Sequence, residues 1–280
     1  MKQQKDLWSR VFEDTEKYVD FYFSEKAPIS KCYVDYEGET LCSMAFFTFY
    51  PAFYKGQRVK TPYIVGVATE ENFRHQKRMT KILQQGIKDC REQDVPLVFL
   101  SPANEKIYEP LGFVGTYWRE TTTFTGEGEG IFDAKCWGEL TLREKEAVAR
   151  FATDTLEKEK FDLYLEHSIS YYEMVQRELE ALDGAIYVLY DQGNVMAVAN
   201  VIYEEEKYEV TEFICPRKKS KSAVETLLFV LRTTELTMDD SYFLEHVDAV
   251  KTKQQKPYIM YRYTTDEQPE PIRCYINDIT

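Results

Sequence analysis

Apolar positions recur along the chain with two periods, and the changes from one to the other mark out its elements. Over residues 4–26 the helical period governs: Leu7, Trp8, Val11 and Phe12, then Tyr18, Val19, Tyr22 and Phe23, predict two short helices that part near Asp14 or Thr15. Strand-like runs rich in Val, Tyr and Phe follow. "KCYVDYEGETLCSMAFFTFYP" predicts a hairpin around Glu37-Gly38, and "PAFYKGQRVKTPY" turns at Gly56 into a strand that ends at Thr69. From about Gln76 the helical period returns. Met79, Ile82, Leu83, Gly86, Ile87 and Cys90 share one face, so this helix is built to lie on a sheet. Val95 to Leu100 is short and nearly all apolar, the pattern of a strand buried on both faces, and the helix before it is the crossover that parallel pairing requires. Asn104 is placed to cap a brief helix that closes near Pro110 and Gly112, and Tyr117 to Phe124 reads as one long closing strand.

The second half repeats this order. After "TGEGEGIFD" (125–133), with three glycines the clearest linker signal, come helical patterns at about 139–155 and 167–181. Strands are expected at 185–190 and 195–203, another at 208–215, and an amphipathic helix at about 219–234. The tail "PIRCYINDIT" alternates Ile272, Cys274 and Ile276 against Arg273, Tyr275 and Asn277, which reads as a half-buried strand. The expected organisation is an α+β chain of two units, 1–125 and 139–280, joined by a linker at 126–138. Each unit is a mixed, mostly antiparallel sheet flanked by helices.

Charge changes the picture at one place. The formal net charge is -13, yet Asn72 to Lys88 holds five basic residues (Arg74, Lys77, Arg78, Lys81 and Lys88) and no acid. A helix N-terminus carries roughly half a positive charge, so acids would be the stabilising choice there. Cations make sense if an anion such as a phosphate sits on the free first-turn amides; a solvated basic face is the other reading. The acidic balance argues against general nucleic-acid binding and suits a cationic, amine-bearing partner. Six scattered cysteines without a C-x-x-C pair, and three distant histidines, indicate neither a zinc site nor a disulfide framework. No apolar run is long enough for a membrane span and residues 1–10 lack an apolar signal core, so a cytoplasmic location is expected.

Val67-Ala68-Thr69 followed by "EENFRHQKRM" resembles the acetyl-coenzyme A signature of the GNAT N-acetyltransferases, and "NEKIYEPLGF" resembles their second half, a Tyr on a short helix before a Leu-Gly-Phe turn. Within that superfamily the chain is most similar to the Eis type. The strong part of the match covers about residues 60–115. The resemblance implies two tandem GNAT-type domains, the second without a working cofactor site and here without the sterol-carrier-like domain of full-length Eis proteins. It implies acetyl-coenzyme A as co-substrate, no metal, and contacts from Val67, Ala68, Thr69, Arg74, His75, Gln76, Lys77, Arg78, Met79 and Asn104. Lys77 stands where the family has its first glycine, and Met79 at the second small position.

The implied reaction is N-acetylation of a primary amine on a small molecule or peptide, with neither nucleic acid nor membrane as partner and no oligomeric state indicated. Tyr108, four residues after Asn104, is the expected general acid: a phenol of ordinary pKa about 10 can protonate a departing thiolate. In Eis-type enzymes the base is the chain's own terminal carboxylate, which points to Thr280. An acyl-coenzyme A binding or sensing protein without turnover, and an interaction scaffold with decayed sites, are the rival readings.

Overall fold

The computed structural model describes residues 1–239, 242–245, 249–253 and 256–277. Two helices lead the chain, α1 (Lys2–Val11) and α2 (Glu16–Phe21), parted where the sequence predicts by Thr15, whose hydroxyl caps α2. Three long strands follow: β1 (Ser30–Glu37), β2 (Thr40–Tyr54) and β3 (Gln57–Thr69). Helix α3 (Arg78–Glu92) then crosses over to β4 (Leu97–Leu100), which runs parallel to β3, and β5 (Val114–Tyr117) and β6 (Glu120–Thr125) come next. The second half comprises β7 (Asp133–Cys136), α4 (Leu142–Glu159), β8 (Leu163–Leu165), α5 (Ile169–Ala181), β9 (Ala185–Asp191), β10 (Asn194–Glu204) and β11 (Lys207–Ile214). It closes with α6 (Ser220–Leu231), β12 (Glu235–Met238), β13 (Val250–Lys253), β14 (Ile259–Tyr263) and β15 (Cys274–Tyr275).

These strands form two mixed sheets that exchange members. The first has the order β15-β8-β2-β3-β4-β14-β5, with β1 on the other part of the long β2. The second has the order β13-β6-β12-β11-β10-β9-β7, with its own parallel pair, β11 and β12, joined through α6. Strand β14, late in the sequence, thus fills the gap between β4 and β5. The single strand expected over Tyr117–Phe124 is two, because the chain breaks at Trp118 and Arg119 to leave one sheet and enter the other. Arg119 is 4% exposed there. Its guanidinium lies 3.3 Å from the Tyr258 ring centroid and donates to Asn277 Oδ1 at 2.5 Å and Asp239 Oδ2 at 3.3 Å.

Alternate side chains of β2 explain the first core. Phe46 points to the face covered by α1 and α2, among Trp8, Tyr22 and Val65; Phe47 points to the face covered by α3, among Ile82, Leu83 and Ile87. Burial on both faces is why this strand reads as a continuous apolar run. The expected apolar face of α3 is buried except Met79, and Gly86 permits close approach: a Cβ there would come 2.4 Å from the Phe47 ring.

Two expectations change. The glycine-rich stretch lies on α6, where Glu129 N–H donates to Glu225 O and a Cβ on Gly128 would meet the Phe229 nitrogen at 2.2 Å. From Cys274 onward the tail is buried on both sides, since Tyr275 and Asn277 are as enclosed as Cys274 and Ile276, while Arg273 stays exposed. β15 pairs in parallel with β8, and Ile276 joins the cluster of Trp8, Tyr18 and Tyr63. A buried ion pair, Lys26 Nζ to Glu178 Oε1 at 2.5 Å, ties the end of the α2 segment to α5. Among the described residues no helix is long and apolar enough to cross a membrane.

Candidate active site

The site begins with an irregularity in β3. Pairing with β2 sets Phe46 opposite Val65 and Met44 opposite Ala68, so Gly66 and Val67 together oppose Ala45. Such a bulge bends its strand and leaves backbone groups outside the ladder. Gly66 sits at φ +60, and the space beside it is taken by the Trp8 indole: a Cβ would lie 2.2 Å from Trp8 Cζ3. Trp8 is held in turn, its Nε1–H donating to Asp14 Oδ2 at 2.7 Å. The sequence expectations gave Trp8 and Asp14 only a place in the leading helices and their break, and did not put them or Gly66 in the site. A glycine inside an apolar strand pattern was the available signal for Gly66.

Beside the bulge β3 and β4 diverge, since their parallel register covers only Tyr63 opposite Phe99 and Ile64 opposite Leu100. Two cavities open in the cleft. One, of about 310 Å³, is lined by Trp8, Tyr63, Gly66, Val67, Ala103 and Tyr108, among others. The other, of about 450 Å³, is lined by Val67, Thr69, Arg74, His75, Lys77 and Met79 with Arg78 and Ile107. Val67 belongs to both walls, so the cavities adjoin along the bulged strand.

The turn into α3 explains the residues of the second cavity. His75 and Lys77 both have left-handed backbone, φ +62 and +59, and Lys77 is the N-cap of α3 without a side-chain cap. Glycine takes this conformation at no cost, and a lysine pays for it, so the helical turn has the shape glycine would give. The α3 first turn holds no acid, and its free amides belong to residues lining the cavity.

The five cations divide. Arg78 is held by Asp35 at 2.7 Å and by Glu37, Lys81 reaches the other Asp35 oxygen at 2.6 Å, and Lys88 lies 3.8 Å from Glu92. Arg74 and Lys77 enter no ion pair among the described residues; Arg74 Nε donates to Thr69 O at 3.3 Å. The positive charge left for a ligand is therefore on these two and the helix terminus.

Of the other expected contacts, Ala68 is buried in the sheet, and the Thr69 hydroxyl shares a hydrogen bond with Ser43 at 2.9 Å. Gln76 is exposed, donating to Asn72 O and accepting from Arg78. Asn104 caps the turn as expected, its Oδ1 accepting the Lys106 amide at 3.0 Å, but it is exposed and lines neither cavity. Tyr108 is 7% exposed, packs edge-on to Phe113, and makes no hydrogen bond among the described residues. Burial pushes its phenol up to about 12. Thr280 lies outside the described residues.

The corresponding turn of the second half is closed. Ser220, at the start of α6, is buried, accepting the Glu245 amide at 3.0 Å while donating to Arg217 O at 2.7 Å. Arg217 pairs with Glu159 at 3.3 Å and lies over Tyr242, Lys219 lies 3.9 Å from Asp191, and Lys221 lies 3.9 Å from Glu225. Three of the four cations of this basic run thus lie against neighbouring acids.

Residues 1–115 match the acetyltransferase (GNAT) domain family. No curated protein matches the chain in sequence. Its fold is similar to a conserved protein of unknown function from Enterococcus faecalis V583, a probable N-acyltransferase, with TM-score 0.71 and 16% identity over 94% of this chain and 70% of that one. It is similar to Eis1 from Mycobacterium abscessus, with TM-score 0.61 and 10% identity over 94% and 71%. A tandem GNAT protein from the clavulanic acid biosynthesis pathway matches over 95% of both chains, with TM-score 0.56 and 9% identity. At these identities the likeness is one of fold.

Proposed function

We propose that this chain, whose residues 1–115 match the acetyltransferase (GNAT) domain family and whose fold is similar to that of a tandem GNAT protein, moves an acetyl group from acetyl-coenzyme A to a primary amine. The observation that carries the proposal is the adjoining of the two cavities at Val67, with uncommitted positive charge at one end and the buried Tyr108 phenol at the other. Arg74, Lys77 and the amides at the start of α3 would hold the phosphates of coenzyme A, and the bulged strand at Val67 to Thr69 would hold its arm. We further propose a cytoplasmic location and a second half without a cofactor site.

A bound thioester supplies an activated acyl carbon: the neutral amine forms the C–N bond, the C–S bond breaks, and the thiolate and the amine each exchange one proton. Backbone N–H groups at the bulge would meet negative charge on the carbonyl oxygen. Tyr108 gives its proton to the thiolate; because burial raises its pKa, it stays protonated at neutral pH. The proton of the amine goes to the α-carboxylate of Thr280, a role supported by the buried run of Cys274 to Asn277, of which Cys274 and Ile276 pack in the cluster of Trp8, Tyr18 and Tyr63. Partial desolvation would raise the basicity of such a carboxylate.

A thiol-release assay over amines, with calorimetry of coenzyme A, tests the reading. Turnover and one coenzyme A site per chain, weakened by Arg74→Glu, are expected. Binding without thiol release from any amine would make the protein a sensor. For Thr280, a few residues appended to the terminus should abolish turnover without unfolding, while Thr280→Ala is tolerated; full activity of the extended chain rejects that role.

A further inference from the structure

The cavity that holds Tyr108 is walled by apolar and aromatic groups, Trp8, Phe12 and Tyr63 among them, and carries one charge of each sign. Asp14, in the turn between α1 and α2, supplies a carboxylate. Lys256, just before β14, supplies an ammonium. Neither enters an ion pair among the described residues, so they stand more than 4.0 Å apart and are free for a ligand. The carboxylate is also oriented, because Trp8 Nε1–H fixes Oδ2 at 2.7 Å and leaves Oδ1 without a partner among the described residues.

The net charge of -13 favours a cationic acceptor at the level of the whole surface. The cavity says otherwise. A polyamine or aminoglycoside would bring several ammonium groups against Lys256, which stands exposed at the mouth of the cavity, and like charges held that close repel. A volume of about 310 Å³ also lies at the small end of ligand pockets. Resting on the acyltransferase reading above, we infer that the acceptor is a free amino acid with an apolar or aromatic side chain. Its ammonium meets Asp14, its carboxylate meets Lys256, and its side chain lies on the rings of Trp8, Phe12 and Tyr63. Asp14 collects the ammonium form, and the amine that attacks has given up one proton.

The test compares L-phenylalanine and L-leucine with phenethylamine, phenylalaninamide, a Phe-Leu dipeptide, spermidine and an aminoglycoside in the thiol-release assay with acetyl-coenzyme A. The amino acids should exceed phenethylamine and the amide by about tenfold in kcat/KM, the scale of one charge-assisted hydrogen bond in a partly enclosed site. Lys256→Met should bring that ratio toward one, and Lys256→Glu should reverse it in favour of the carboxylate-free amines; thermal melts of both verify folding. Asp14→Asn should raise KM for every acceptor. Preference for spermidine, the aminoglycoside or the dipeptide, or a ratio that Lys256→Glu leaves unchanged, overturns the inference while the acyltransferase reading stands. Failure of wild-type protein both to bind coenzyme A and to release thiol with any amine defeats the reading itself, and the inference with it.

Discussion

Tyr108 shows how far a single residue can be read before the fold is seen. Its spacing after Asn104 marked it, but many of the other 20 tyrosines are as enclosed, and what separates it from most of them is its place on the wall of the cavity beside Val67. Burial raises its phenol to about 12, so loss of the acid through ionisation belongs near that pH and not near 10. A pH profile of kcat should therefore show no tyrosine limb up to about pH 10.5, and Tyr108→Phe should lower turnover by roughly 100-fold with coenzyme A affinity nearly unchanged. Lys77 makes the opposite point. The side chain suggested a departure from the glycine pattern, but the backbone at φ +59 keeps the turn that glycine would make.

At the scale of elements, α3 was legible in its apolar face and in the missing acids of its first turn. Its charges were not. Asp35, 43 positions before Arg78, takes both Lys81 and Arg78, and their hydrogen bonds hold its carboxyl below the usual carboxylate range. A depressed carboxylate adds stability that is present above its unfolded pKa of about 3.9 and is lost as pH falls through its folded value. Thermal melts should accordingly show the wild type losing stability below about pH 4. Asp35→Asn should be less stable at pH 7 and flatter in that acid window. If its melting curve tracks the wild type throughout, the pair is a solvated surface contact. The turn into α6 has a similar basic run, and there Glu159, Asp191 and Glu225 pair with Arg217, Lys219 and Lys221, which is why two similar sequence signals have different structural outcomes.

For the whole molecule, the exchange of strands is the decisive feature. Residues 1–125 lack β14, so on their own they would leave β4 and β5 with unpaired edges facing each other, and β6 would have no sheet. Unpaired apolar edges promote association. Expressed alone, residues 1–125 should be unfolded or aggregated, whereas the full chain should show one cooperative transition in urea by tryptophan fluorescence and circular dichroism. Two separate transitions, or a folded 1–125, would show that the halves are independent.

Period, caps and turns are set by neighbours in sequence, so the sequence by itself determined the helices, the hairpins, the parallel crossover and the likeness of the two halves. Thr15 and Asn104 cap where their short side chains must, and the turns at Gly38 and Gly56 follow from backbone freedom. Only the tertiary structure decided which strands share a sheet, that Gly66 admits Trp8, and that Asp14 and Lys256 line one cavity. These are meetings of residues far apart in the chain, settled by register and by the closing of long loops, and no local pattern of apolar and polar positions encodes them.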